Sequence, residues 1–392
     1  MDPRRNPFAP GAGTQPPELA GRDELIEKAE IALDRIAAGR PARSLVLYGL
    51  RGVGKTVLLG KIRSDAEARG LVPVRIEAPE HRSLPAILAA PLRAALLKLD
   101  RMEAAKAGAR RALAALASFA KLKMKYADIE VSLDFEPLKG LADSGDLETD
   151  LAELLVAVGE AARERQTAVI LVVDEIQYVD EAEMAALISA LHAVAQERLP
   201  VTMVAAGLPQ LLSRMGRAKS YSERLFEYVP VGALDAGAAR VAITLPIERE
   251  GAAIEPQAVA AIIAATEGYP YFLQEWGKHS WDIAFDETIT LQDVENAGVM
   301  ALAELDASFF RVRFDRLTPT EKRYMRAMAE LGPGPHRSGD IAEAMGKQVT
   351  QLAPIRNALM KKGMLYSPAH GDTAFTVPMF DAFMRRIMPA WP

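Results

Sequence analysis

The chain has no cysteine. Disulfides, thiolate zinc sites and cysteine nucleophiles are excluded, and no covalent staple supplements its cores. Long apolar runs are missing too. No stretch reaches the ~20 residues that span a bilayer, and the N-terminus lacks the apolar segment of a signal peptide. The expectation is a cytoplasmic protein with no membrane contact. Nor is there an excess of basic charge: 47 Lys and Arg stand against 52 Asp and Glu, a formal net charge of −5, which argues against a purely electrostatic nucleic-acid binder. That balance is uneven along the chain. Residues 316–392 carry 11 basic against 6 acidic residues, whereas the remainder carries 36 against 46, so the positive charge gathers in the C-terminal fifth. At 392 residues the chain predicts two or three domains, each able to form its own core.

Against these absences stands one informative stretch, Gly49-Leu50-Arg51-Gly52-Val53-Gly54-Lys55-Thr56. It fits G-x-x-x-x-G-K-[ST], a phosphate-binding P-loop. Ser44–Tyr48 before it reads as a short apolar strand, and Val57–Ile62 after it begins a helical pattern. Backbone N–H groups and the helix dipole at such a junction favour an anion. The glycines let the backbone approach phosphates, Lys55 supplies a point charge to the outer phosphates, and the Thr56 hydroxyl suits Mg²⁺. ATP with Mg²⁺ is the ligand this pattern predicts.

Around that loop, residues 1–17 are rich in Pro and Gly and predict a flexible arm. The P-loop core is predicted over 18–232. Strands are expected at 72–77, 201–206 and 226–231, and a helix-and-hairpin insertion at about 81–146. Within the insertion, Leu122, Met124 and Tyr126 alternate with three lysines, and Ile129–Phe135 alternates with Glu130, Ser132 and Asp134. This pattern predicts a hairpin turning at Ala127-Asp128. Its lysines suit either cross-strand charge pairs or DNA contacts. The second diagnostic stretch is Ala168–Val173 followed by Asp174-Glu175. Six apolar residues suit a strand buried on both faces of a parallel sheet, with two carboxylates at its C-terminal end, where open α/β sheets bind ligands. There Asp174 can hold the metal, and Glu175 can polarise an attacking water.

Residues 233–315 read as mostly helical, with the aromatics of Gly268–Trp276 assigned to its core. The last unit, 316–392, opens with Thr318-Pro319-Thr320-Glu321, a capping box with Pro at the first helical position. Two further helices and a hairpin around His370-Gly371-Asp372 give the order of a winged helix-turn-helix. Its third helix, predicted over 350–362 with Pro354 in the first turn, would present Gln348, Thr350, Gln351, Arg356, Asn357 and Lys361 to duplex DNA. A winged helix used only for protein contacts is the alternative.

Taken together, the P-loop, Leu171–Glu175, a helical lid and a winged helix resemble the AAA+ and STAND P-loop ATPases. The likeness is nearest to the group of origin-recognition initiators and archaeal-type ATPases, and it covers roughly residues 7–390. It implies an α/β P-loop NTPase core with a parallel sheet, a helical lid and a C-terminal winged helix. Leu19–Glu24 is similar to that family's N-terminal box beside the adenine, which implies a nucleotide contact for Arg22. Ser222–Phe226 is similar to its arginine-finger segment, which implies that Arg224 acts on a neighbouring copy in a homo-oligomer, where a finger contributes on the order of 10³–10⁵ in rate. Two positions depart from the pattern: Leu208 stands where a polar sensor is usual after the fourth strand, and Tyr271 stands where the lid usually offers an arginine. Both departures imply slow hydrolysis, the behaviour of a switch. Two rivals remain open, a STAND-type signalling or defence ATPase that ignores DNA and a DNA-binding regulator that holds nucleotide without hydrolysing it.

Overall fold

A computed structural model describes residues 1–11, 13–80, 82–101, 107–123 and 137–390. Its organising element is a five-stranded parallel sheet of β1 (Ser44–Tyr48), β2 (Val72–Glu77), β3 (Val169–Asp174), β4 (Val201–Gly207) and β5 (Phe226–Pro230). The strand order is β2-β3-β4-β1-β5. One face is covered by α1 (Asp23–Ala37) and α2 (Lys55–Ala68). The other is covered by α3 (Leu84–Arg101), α4 (Ala107–Lys123), α5 (Leu147–Glu164) and α6 (Glu181–Gln196). Burial on both faces explains why β3 reads as an unbroken apolar run: Val169 to Val173 are all buried, and no polar face is left to alternate.

The short helices α7 (Leu211–Ala218) and α8 (Ser222–Leu225) lead into β5. Beyond it come α9 (Ala236–Arg249), α10 (Pro256–Thr266), α11 (Pro270–Ile283) and α12 (Leu291–Leu305), with the two-residue strands β6 (Ala253–Ile254) and β7 (Thr288–Ile289) pairing in parallel among them. A π-helical turn at Asp306–Phe310 runs into α13 (Arg311–Asp315). The last unit holds α14 (Pro319–Glu330), β8 (His336–Arg337), α15 (Ser338–Ala344), α16 (Val349–Lys361), β9 (Leu365–Tyr366), β10 (Asp372–Phe375) and α17 (Phe380–Ile387). Its strands form one antiparallel sheet, β8-β10-β9. The capping box at the start of α14 forms as the sequence predicts, with Thr318 and Glu321 bonding reciprocally.

Four expectations change. The first residues assigned to a hairpin strand in the insertion, Lys121–Lys123, are the last turn of α4; the rest of that hairpin lies outside the described residues. Helix propensity of the Ala-rich run carries the helix past the point where the alternation begins. Pro354 lies in the second turn of α16 rather than the first, because Val349 already opens the helix under a Gln348–Gln351 capping box. The arm expected to be flexible lies along the lid. Phe8 is only 3% exposed, its ring filling the space beside Gly277 that a Cβ would occupy. Asn6 donates to the Lys278 carbonyl and the Asp282 carboxylate at 3.0 and 2.8 Å, and the Trp281 indole donates to the Asp2 carbonyl at 3.0 Å. Finally, the lid and the last unit share one apolar cluster, in which Phe310 stacks on Phe383 at 5.2 Å.

Candidate functional site

The strand order puts β4 between β1 and β3, so the loops that leave the C-terminal ends of β1 and β3 face each other across the end of β4. Residues far apart in sequence thereby become neighbours. The Thr56 hydroxyl donates to Asp174 Oδ2 at 2.7 Å, although 118 residues separate them.

After β1 the chain passes beneath β5 so closely that a Cβ on Gly49 would lie 2.0 Å from the Val231 carbonyl oxygen. It then turns through Gly54 at φ +91°, directly before α2. Only glycine enters that region without strain, which leaves the N–H groups opening α2 free to face an anion. The Lys55 ammonium folds back into the loop and donates to the carbonyls of Gly49 and Leu50 at 3.0 and 2.7 Å. Burial, with the Arg51 charge beside it, lowers its pKa to about 8; Glu175 and Asp174 offset part of that shift.

At the end of β3, burial raises the pKa of Asp174, while the Thr56 hydroxyl and the Glu175 N–H hold its charge in part. Glu175 sits in the left-handed region at φ +52°, a strained backbone of the kind that clusters at working sites. Its carboxylate accepts from the Gln177 amide and lies 3.6 Å from Arg51 Nη1. Gln177 is 2% exposed, and its other amide atom accepts the Leu208 N–H at 3.1 Å. Gln177 thus links the Glu175 carboxylate to the segment that follows β4, and Leu208 itself is buried beneath the last unit near Gly363.

Lys55, Thr56, Asp174 and Glu175 line a cavity of about 440 Å³. Its walls come from the arm through Ala9 and Pro10, the P-loop from Arg51 to Thr56, the strand ends through Glu77, Asp174 and Glu175, the lid through Pro270, Tyr271 and Gln274, and the connector to the last unit through Phe309 and Arg313. Arg22 lines it too, but its guanidinium is committed to the carbonyls of Val53 and Gly232 at 3.2 and 2.6 Å. It ties the start of α1 to the P-loop and to the segment after β5. Thr56 and Asp174 present the oxygen donors that Mg²⁺ accepts. Among the described residues no cluster of three or more His, Asp or Glu could cage a metal, so a cation here would complete its shell from phosphates and water.

Known proteins match this arrangement in two places. Residues 18–204 match the AAA ATPase domain family, and residues 307–384 match a Domain of unknown function (DUF8462). Residues 18–204 form an AAA ATPase domain. Among solved structures, the Walker-type ATPase of Pyrococcus abyssi is similar over 95% of this chain and 97% of its own, at 15% identity and a TM-score of 0.61. The ORC1 protein of Aeropyrum pernix, solved in complex with DNA, is similar over 97% and 96%, at 16% identity and a TM-score of 0.51. At such identities the likeness is one of fold. No curated protein matches the sequence.

Not every sequence candidate joins this cavity. Arg224 is exposed on α8, outside the cavity. On α16, Gln348, Thr350, Gln351, Asn357 and Lys361 are exposed on the last unit, but Arg356 is half-buried. Its guanidinium donates to the Thr373 hydroxyl at 2.7 Å, the Asp372 carbonyl at 2.9 Å and the Ser367 hydroxyl at 3.1 Å, bracing the hairpin of β9 and β10. Sequence reading missed Gln177 and Arg313. Gln177 carries a faint signal, an amide two residues after the acidic pair; Arg313, far along the chain in an ordinary charged helix, carries none.

Proposed function

We propose that the chain is a switch ATPase: it binds ATP with Mg²⁺, hydrolyses it slowly, and uses the bound nucleotide to set DNA binding and self-assembly. The observation that carries this reading is the meeting of Lys55, Thr56, Asp174 and Glu175 at one cavity. Lys55 would hold the outer phosphates; Thr56 and Asp174 would hold the metal, which shields phosphate charge when bound. Glu175 would orient and polarise the attacking water. Slowness is supported by the carboxylate's surroundings, since Gln177 and Arg51 both engage Glu175 and compete with a water for it. The last unit is read as a winged helix whose α16 meets duplex DNA, a reading supported by its local basic excess and by its element order. The ORC1 protein of similar fold was solved with DNA.

A second reading, a signalling ATPase whose last unit makes protein contacts only, is favoured by one contact. The Arg51 N–H of the P-loop donates to the Thr376 carbonyl at 3.0 Å, so this unit is already engaged by its own core. The experiment is ATP turnover by the full chain, with and without duplex DNA, over a range of protein concentrations. Stimulation by DNA and specific activity that rises with concentration support the switch; flat, DNA-indifferent turnover moves the signalling reading ahead. In the same assay Glu175→Gln should keep ATP affinity and lose about 10²–10⁴ in turnover. Unchanged turnover removes Glu175 from the mechanism.

A further inference from the structure

One face of α11 borders the cavity from the P-loop to the arm. At its start, the Tyr271 N–H donates to the Gly52 carbonyl at 3.1 Å. Nearly two turns on, Gly277 receives the ring of Phe8. Gln274 lies between them, three residues from each, so the three positions share a face. Gln274 lines the cavity and is only 9% exposed. Its carboxamide Oε1 is buried and accepts no hydrogen bond among the described residues. A buried acceptor without a partner forfeits its solvation for nothing, and a native structure that keeps one calls for a reason. Glu275, His279 and Ser280 on the same helix also hold unpartnered atoms, but none of them lines the cavity, and Glu275 lies 3.9 Å from His279.

The company Gln274 keeps indicates what would pair with it. Away from the charged P-loop and strand ends, the cavity is walled by Pro10 of the arm, Leu19, Leu234, Ala242 of α9 and Leu273 of α11. Apolar walls with a single carboxamide suit a flat heterocycle better than a phosphate. A carboxamide offers one donor beside one acceptor. Adenine presents the complementary pair, its N6 amine beside the N7 acceptor, whereas guanine presents two acceptors, O6 and N7, on the same edge. An orphaned acceptor oxygen is satisfied by the first and opposed by the second.

We propose that Gln274 reads the nucleobase, accepting from the N6 amine of adenine and donating to N7, and that this residue sets the preference of the site for adenine over guanine. The proposal rests on the ATPase reading above. Gln274 stands one turn beyond the P-loop contact of α11, on the side where Phe8 anchors the arm and brings Pro10 to the same cavity. A base placed there leaves its phosphates toward Lys55 and Thr56.

The test is calorimetric titration of the full chain with Mg²⁺ and ADP, GDP or purine riboside diphosphate, in which hydrogen replaces the adenine amine. The wild type should bind ADP about 10-fold more tightly than either of the others, the scale of a lost hydrogen bond that leaves a buried acceptor unpaired. Gln274→Met, close to the original in volume, should lose about 10-fold for ADP and hold purine riboside diphosphate within about threefold, so that the two ligands become equal. Because Met removes an acceptor that is unpaired in the free chain, the thermal midpoint of the nucleotide-free variant should equal or exceed that of the wild type. Gln274→Glu, which keeps an acceptor, should retain part of the preference for ADP over purine riboside diphosphate and serves if Met disturbs folding. A wild type without base preference, a preference for GDP, or equal losses of all three ligands in Gln274→Met with a lowered midpoint would each overturn the proposal. Lys55→Ala should lose all three ligands. If it binds them normally, the nucleotide lies elsewhere and the ATPase reading fails as well; if it loses them while Gln274→Met keeps the wild-type ratios, the Gln274 proposal alone fails.

Discussion

Lys55 shows how a single side chain can make ligand affinity depend on pH. Its ammonium sits among loop carbonyls, and burial together with Arg51 brings its pKa to about 8. Only the charged form attracts phosphate. Apparent ATP affinity should therefore be flat below about pH 8 and fall by about tenfold per pH unit above it, until the pKa of the occupied site is reached. Binding near pH 8 should take up a proton, so the calorimetric heat should vary with the ionisation enthalpy of the buffer. Heats identical in phosphate and Tris buffers would contradict this. The sign for folding is the opposite. Between about pH 8 and the ordinary lysine range the unfolded chain holds a proton that the folded chain has lost, so the Lys55 contribution to stability of the free protein rises with pH. Nearby, Glu175 was legible from its neighbours in sequence, whereas its left-handed backbone and its amide partner were not; both depend on how β3 ends beside β4.

Among the elements, the arm and α16 depart furthest from expectation. The arm has no period and no side-chain ladder of its own, so sequence patterning gives it no conformation; its order comes from the surface of α11. Phe8 against Gly277 is the contact that matters most, because the missing Cβ makes room for the ring. In α16, polar composition marked six residues as available to DNA, but Arg356 is turned back onto β10. The two cations on this helix should therefore behave differently. Lys361→Ala should reduce the salt dependence of DNA affinity by about one unit of slope. Arg356→Ala should instead remove the bonds that tie α16 to Thr373, Asp372 and Ser367 and lower stability by about 1–3 kcal/mol. Binding and thermal denaturation measured on both variants separate these effects; a salt slope reduced only by Arg356→Ala would reverse the assignment.

For the whole molecule, the cavity at the P-loop is assembled from the arm, core, lid and connector, while Arg224 stands outside it. A contribution from Arg224 would have to reach another copy. In that case Lys55→Ala chains, which keep the finger, and Arg224→Ala chains, which keep the P-loop, should each turn over slowly alone and recover activity when mixed. Recovery should grow with total concentration, since it depends on assembly. Mixtures no faster than the average of their parts would make Arg224 an ordinary surface residue. The shared apolar cluster of lid and last unit adds a structural reason why nucleotide state and the stance of that unit would be coupled, since a movement of either must carry or break their common core.

The sequence by itself determined the local devices: the P-loop, which must be glycine-rich where backbone meets phosphate; the doubly buried β3 ending in two carboxylates; and the capped helix that opens the last unit. Each is written in adjacent residues because its physics is short-ranged. Tertiary structure alone decided which devices meet. Strand order brought Thr56 to Asp174 across β4, the groove of α11 ordered the arm, and a π-helical turn carried Arg313 to the P-loop. Those encounters depend on packing between segments more than a hundred residues apart, and no local pattern in the chain records them.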